Sequence, residues 1–170
     1  MRRLLVPAMV CLAALAGCER PEATSSPESP AAPAAEARFR HRLGGDISGD
    51  YRPTGDPSGA WRVDGLFIGQ VSAFDAWAAG RRDASPLILT LSGPSGKVQV
   101  LPRAYDLTDQ TLHMVGAMPD GTNVTLDARI DQGALATARR NLGDRTPVVV
   151  GAATVGEQRL SFSLGWWNGD

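Results

Sequence analysis

Apolar and polar residues alternate with a period of two along most of the chain. Val124, Leu126, Ala128 and Ile130 alternate with Thr125, Asp127 and Arg129. Leu160, Phe162, Leu164 and Trp166 alternate with Ser161, Ser163 and Gly165. Leu112, Met114, Gly116 and Met118 alternate with His113, Val115 and Ala117. Each run predicts a strand with one buried face, because successive strand side chains point to opposite sides. Further strands are expected at 47–52, 61–68, 87–91, 97–101 and 147–154. The joints are turn chemistry: Ser92-Gly93-Pro94-Ser95-Gly96, Thr108-Asp109-Gln110, Pro119-Asp120-Gly121 and Gly156-Glu157. Gly, Asp and Pro supply the backbone angles that reverse a chain.

Two stretches switch to a helical spacing. Phe74, Trp77 and Ala78 share one face after Ser72-Ala73-Phe74-Asp75, which reads as a capping box, and Gly80 suits the stop. Asp131 reads as the cap of a second helix with Leu135, Ala138 and Leu142 on one face. Arg139 and Arg140 lie in its last turn, where cations favour the helix dipole. The expected fold is mainly β: about eight mostly antiparallel strands in a small barrel or two-sheet sandwich, with two short helices.

The first residues follow another pattern. Met1-Arg2-Arg3 is positive, and Leu4 to Ala16 is almost entirely apolar but falls short of the roughly 20 residues a spanning helix needs. This is the layout of a secretory signal, residues 1–17. It ends in Leu15-Ala16-Gly17-Cys18, which resembles the lipobox of bacterial lipoproteins. The resemblance implies diacylglycerol on the Cys18 sulfur, cleavage before Cys18 and acylation of the new amine by a chain such as palmitate. The membrane is then the first partner, through lipid on Cys18. Cys11 lies in the segment that is removed, so the mature chain is expected to hold no disulfide. Glu19 is not the Asp that retains enterobacterial lipoproteins at the inner membrane. The resemblance therefore places the chain in the outer membrane of the cell envelope, facing the periplasm.

Residues 18–37 are, after the Cys, Pro, Ala, Ser and Glu with one Arg and one Thr, without a large apolar side chain. Such a composition cannot bury enough surface to offset its ordering entropy, so a disordered tether is expected. Every aromatic residue lies at or after Phe39, and 38–170 reads as a single β-rich domain. Of 170 residues, 17 are Lys or Arg and 18 are Asp or Glu, a net charge of −1. From Arg38 onward the two signs are equal in number. A nucleic-acid partner held by phosphate electrostatics is excluded by this balance.

Little of the sequence has the spacing of catalysis. His41 lies at the domain entry and His113 on the outward face of its strand. No Gly-x-Ser-x-Gly elbow accompanies either one. Gly93-Pro94-Ser95-Gly96-Lys97 lacks the first Gly of a phosphate loop, and Val98 stands where Ser or Thr should follow the Lys. Asp46-Ile47-Ser48-Gly49-Asp50 fails as a calcium loop, with Tyr51 in the place of the required Gly and Pro57 in that of the closing Glu. No catalytic residue, metal site or cofactor is assigned. Trp167 should point outward at the chain end, either packed under a helix or loop or open as a stacking surface. Trp61 and Tyr105 are candidates to join it in a ligand-contact surface for a sugar or peptide.

The domain also resembles a set of small, uncharacterised proteobacterial lipoproteins. The shared features are Ser48-Gly49-Asp50-Tyr51-Arg52-Pro53, Gly69-Gln70 with Phe74, Trp77 and Gly80-Arg81-Arg82, then Leu101-Pro102 with Tyr105, the stretch 134–142, and Trp166-Trp167 with Gly169-Asp170. No activity comes with that resemblance. The expected function is a lipid-anchored, non-catalytic binding or structural module with a periplasmic protein or glycan partner. The alternative is an envelope hydrolase using paired carboxylates on glycan or peptide.

Overall fold

The computed structural model describes residues 38–56 and 59–169. The expected signal segment and tether, with Cys11 and Cys18, lie outside the described residues. Nine strands and two helices follow in order: β1 (Phe39–Arg42), β2 (Gly49–Pro53), β3 (Arg62–Ile68), α1 (Val71–Ala78), β4 (Leu87–Gly93), β5 (Gly96–Thr108), β6 (Thr111–Ala117), β7 (Asn123–Ile130), α2 (Gln132–Arg140), β8 (Val149–Val155) and β9 (Gln158–Trp167).

Each strand from β2 to β9 pairs antiparallel with the next, and β9 returns to β2. The result is a closed eight-stranded up-and-down barrel. β1 lies outside this circuit, parallel to the end of β5, with Phe39 opposite Tyr105 and Arg42 opposite Thr108. Of the two architectures the alternation allowed, the barrel is the one formed. Closure leaves no long free edge around the wall.

An eight-stranded barrel is just wide enough to be filled by side chains or to hold one small ligand. This one is filled. Tyr51, Leu66, Ile68, Leu87, Leu89, Leu91, Leu107, Leu112, Met114 and Leu126 are among its fully buried residues. Each such Leu, Ile or Met contributes about 1.5–3 kcal/mol of burial. Where strands approach most closely only glycine fits: a Cβ on Gly151 would lie 2.1 Å from the Asp127 carbonyl oxygen. The barrel is a packed core, so any ligand must use its ends or its outer wall.

Both helices cover the same end. α1 places Phe74 and Trp77 against Tyr105 and Phe39, with Phe74 and Tyr105 ring centroids 5.4 Å apart. α2 buries Leu135 and Ala138. Asp131 caps α2 as expected, its carboxylate accepting from the Ala134 N–H at 2.9 Å. The capping box expected at Ser72 does not form: α1 begins two residues earlier, after Gln70, which makes no side-chain cap. The other end of α1 is specified locally. Gly80, at φ +86°, donates to the Trp77 carbonyl and Arg81 donates to the Ala76 carbonyl, the two bonds of a Schellman stop.

Two further expectations are corrected. His41 does not lie at a loose entry but in β1. Its side chain is only 16% exposed, and its Nε2 sits 3.2 Å from the Asp75 carboxylate of α1. The strand expected at 97–101 runs on to Thr108, bending at a bulge between Pro102 and Ala104. That bend carries β5 away from β4, whose last pair toward the helical end is Leu89 with Val100. β1 takes up the freed edge.

Candidate functional site: a cleft at a seam in the barrel wall

The end opposite the helices is formed by the β2–β3, β4–β5, β6–β7 and β8–β9 connections. The first of these opens a cleft, and the reason is local. β2 pairs with β3 only from Gly49 to Tyr51, while it stays beside β9 as far as Pro53 opposite Leu164. Main-chain groups alternate sides along an antiparallel strand. Tyr51 faces β3, so Pro53 would be the next residue to donate to β3, and proline has no N–H. β3 then begins at Arg62 with its own irregularity, a bulge at Asp64.

The space left is about 750 Å³, lined by residues 53–56 and 59–63 on one side and 158–164 on the other. Trp61 is half-buried and forms part of its wall. The indole lies over Gly93, where a Cβ would come within 2.5 Å of its six-membered ring. Phe162 is buried and Leu160 half-buried beside it. Arg62, Gln158, Arg159, Ser161 and Asp56 supply the polar groups. Asp56 is the one carboxylate among the described lining residues, so the paired acids of a glycosidase do not meet here.

One wall carries unusual chemistry. The Thr54 N–H donates to the Ser163 carbonyl at 3.1 Å, which ends the β2–β9 ladder. By the two-residue period, the N–H and C=O of Ser161 and Arg159 point to the same side, into the cleft. Among the described residues they find no main-chain or side-chain partner there.

The three aromatic residues singled out from sequence are not brought together. Trp61 lines the cleft. Tyr105 is 2% exposed under α1 at the helical end, its hydroxyl without a hydrogen-bond partner among the described residues. Burial pushes that phenol up to about 12, with Arg82 opposing the shift and Asp75 adding to it. Trp167 lies half-buried on the outer wall near the helical end, with the Arg52 guanidinium stacked 3.2 Å from its ring. That guanidinium covers the face a ligand would use.

The remaining charged groups sit in separate pairs. His113 Nδ1 lies 2.7 Å from Asp127, Lys97 2.5 Å from Asp64, and Asp106 accepts from both Arg40 and Arg42. Arg139, in the last turn of α2, pairs with no strand carboxylate among the described residues. It donates instead to the carbonyls of Asp46 and Ser48 at 2.7 and 2.8 Å, tying α2 to the segment before β2. Gly93 to Lys97 forms the β4–β5 hairpin turn. No group of three or more His, Cys, Asp or Glu that could hold a metal occurs among the described residues, and no helix there is long and apolar enough to cross a membrane.

No protein-family model, curated protein or solved structure matches this chain. The cleft itself was not legible as a site. Gln158, Arg159 and Ser161 read only as the outward half of an alternation. The available signal was Pro53 followed by a Gly- and Pro-rich connection ending in Trp61.

Proposed function

We propose that this chain is a lipid-anchored envelope protein whose barrel is a non-catalytic binding module, held on the periplasmic side of the outer membrane by lipid on Cys18. The seam cleft is its binding site. The observation that carries the binding reading is the combination in that cleft of an indole wall and an arginine rim on an otherwise filled barrel. Concave sites of 300–1,000 Å³ with apolar walls and a few polar groups are the usual ligand sites of proteins. The anchor reading rests on the Leu15-Ala16-Gly17-Cys18 sequence and the composition of residues 19–37.

Two experiments in intact cells test it. Cys18→Ser should abolish incorporation of labelled palmitate and release the chain from the membrane fraction; persistent labelling would remove the anchor. A photo-crosslinking amino acid at the exposed Ala60, on the cleft rim, should give a discrete adduct with an envelope component. The same group at Leu142, 73% exposed at the helical end, should not. Equal capture at both positions would remove the cleft as the binding site.

A further inference from the structure

From Arg38 onward basic and acidic residues are equal in number, but the fold does not spread them evenly. We infer that one wall of the barrel, built on β1 and β5–β9, is a membrane-docking face that lies on the phosphate headgroups of an anionic lipid surface. This rests on the lipid anchor proposed above and goes beyond it by assigning the domain its own contact with the bilayer and an orientation there.

Three observations point to it. The first is register. Arg40, Asp106, His113, Asp127, Ala152 and Ser161 stand opposite one another in turn across β1, β5, β6, β7, β8 and β9. Residues two positions along these strands share the same outer face, which adds Arg42, Arg129 and Val150 toward the helical end and Arg159 toward the other. They line one open hollow of about 710 Å³. Among its described lining residues, four guanidiniums stand against two carboxylates. Asp106 is held by Arg40 and Arg42, and Asp127 is hydrogen-bonded to His113, so the excess charge of the hollow is positive. The second observation is relief. β8 forms the floor, where the outward Val150 and Ala152 are short. Arg159 rises from β9 on one side, and Arg129, Arg40 and Arg42 rise from β7 and β1 on the other. A guanidinium grips a phosphate with two parallel N–H bonds. Long arms around a shallow floor suit a layer of headgroups.

The third observation is position. β1 carries two of the four arginines, and only residues 19–37 and Arg38 separate it from Cys18. Fully extended, that stretch reaches about 65 Å, so this wall is held within that distance of the anchoring bilayer. Tethering makes the contact intramolecular, and contacts that are weak one by one then suffice. An arginine beside an anionic lipid surface strengthens binding about fivefold. The strand directly across the barrel from β8 in the closed order is β4, which has no charged residue and presents Ile88 beside Phe67 of β3. An acidic protein would meet the same charges, but nothing in the chain holds it next to β1 as the anchor holds the bilayer.

The test uses the full chain, isotope-labelled and placed in nanodiscs of phosphatidylethanolamine, with or without phosphatidylglycerol, that carry a trace of headgroup-spin-labelled lipid. In the anionic discs, paramagnetic relaxation enhancement at the Val150 and Ser161 amides should exceed that at Phe67 and Ile88 at least threefold. The excess should vanish in 1 M salt, where the Debye length is about 3 Å. Arg42→Gln with Arg129→Gln should cut the excess at least fivefold. Arg81→Gln with Arg140→Gln, an equal change of charge on exposed residues at the helical end, should leave it intact. Equal enhancement on the two walls, more on the Phe67–Ile88 side, or equal loss from both double variants would overturn the inference and leave the anchor in place. A wall that stays off the anionic discs yet binds inorganic phosphate or polyglutamate would also overturn it, in favour of a free anion or an acidic protein. A chain whose mass shows no lipid on Cys18 would remove the anchor, and sedimentation or its failure with phosphatidylglycerol vesicles would still decide the wall.

Discussion

The two tyrosines make opposite demands on the core, and one substitution at each separates them. Tyr51 is completely buried and its hydroxyl donates to the Ile47 carbonyl at 2.5 Å, closing the segment that leads into β2. Tyr105 is also buried, but its hydroxyl has no partner among the described residues. Burial raises both phenols above the ordinary range, so each is a neutral O–H at physiological pH. Removing Tyr51's hydroxyl takes away a hydrogen bond and leaves a buried carbonyl unsatisfied, a cost of about 1–3 kcal/mol. Removing Tyr105's hydroxyl takes away a buried group that is itself unsatisfied, which costs nothing or stabilises. For a domain of about 130 residues the unfolding entropy is about 0.27 kcal/mol/K, so a loss of about 2 kcal/mol lowers Tm by about 7 °C. Tyr51→Phe should show that drop in a calorimetric or circular-dichroism melt. Tyr105→Phe should melt within about 2 °C of the parent or above it. Equal losses at both positions would refute the reasoning, since it rests on one hydroxyl having a partner and the other having none.

Further outcomes follow from close approaches, caps and carboxylates. Gly93→Ala should expel the Trp61 indole, red-shifting tryptophan fluorescence and costing about 1–3 kcal/mol in urea denaturation, because the added Cβ meets a side chain that can move. Gly151→Ala should cost more than Gly93→Ala, because its Cβ meets the main chain of Asp127 and Ala128. Asp131→Ala should cost about 1 kcal/mol through the lost cap and raise amide exchange in the first turn of α2. Asp46, Asp120 and Asp144 are held below the ordinary carboxyl value of 3.8, mainly by hydrogen bonds from Ser48, Thr122 and Thr146. Their stabilisation is complete above that value and is lost as pH falls through the lower folded values. Carboxyl titrations by NMR should therefore have midpoints below 3.8 at these three positions, and melts should weaken only on the acid side.

The alternation, the turn residues and the Asp131 cap were enough to state strands, two helices and their approximate bounds. All three depend on residues near one another in the chain. β1 escaped because Phe39-Arg40-His41-Arg42 has no apolar alternation of its own; it is extended because β5 offers a free edge and Asp75 and Asp106 hold its side chains. Trp61, Tyr105 and Trp167 looked alike as candidates for one surface. Their separation followed from strand phase and barrel height, which composition does not encode.

The sequence by itself determined that the domain is β-rich, which faces of its strands are apolar, where the chain turns, and the lipobox-like segment before the domain. These are local matters of side-chain period, backbone angle and short motif. Only the tertiary structure decided that the sheet closes into a barrel, that both helices cover one end, and that the interior is full. It also decided that the absent N–H of Pro53 opens a seam on the far side of the wall. The meaning of a missing donor depends on which strand it would have faced, and that is set by register between segments more than a hundred residues apart, as with Thr54 and Ser163.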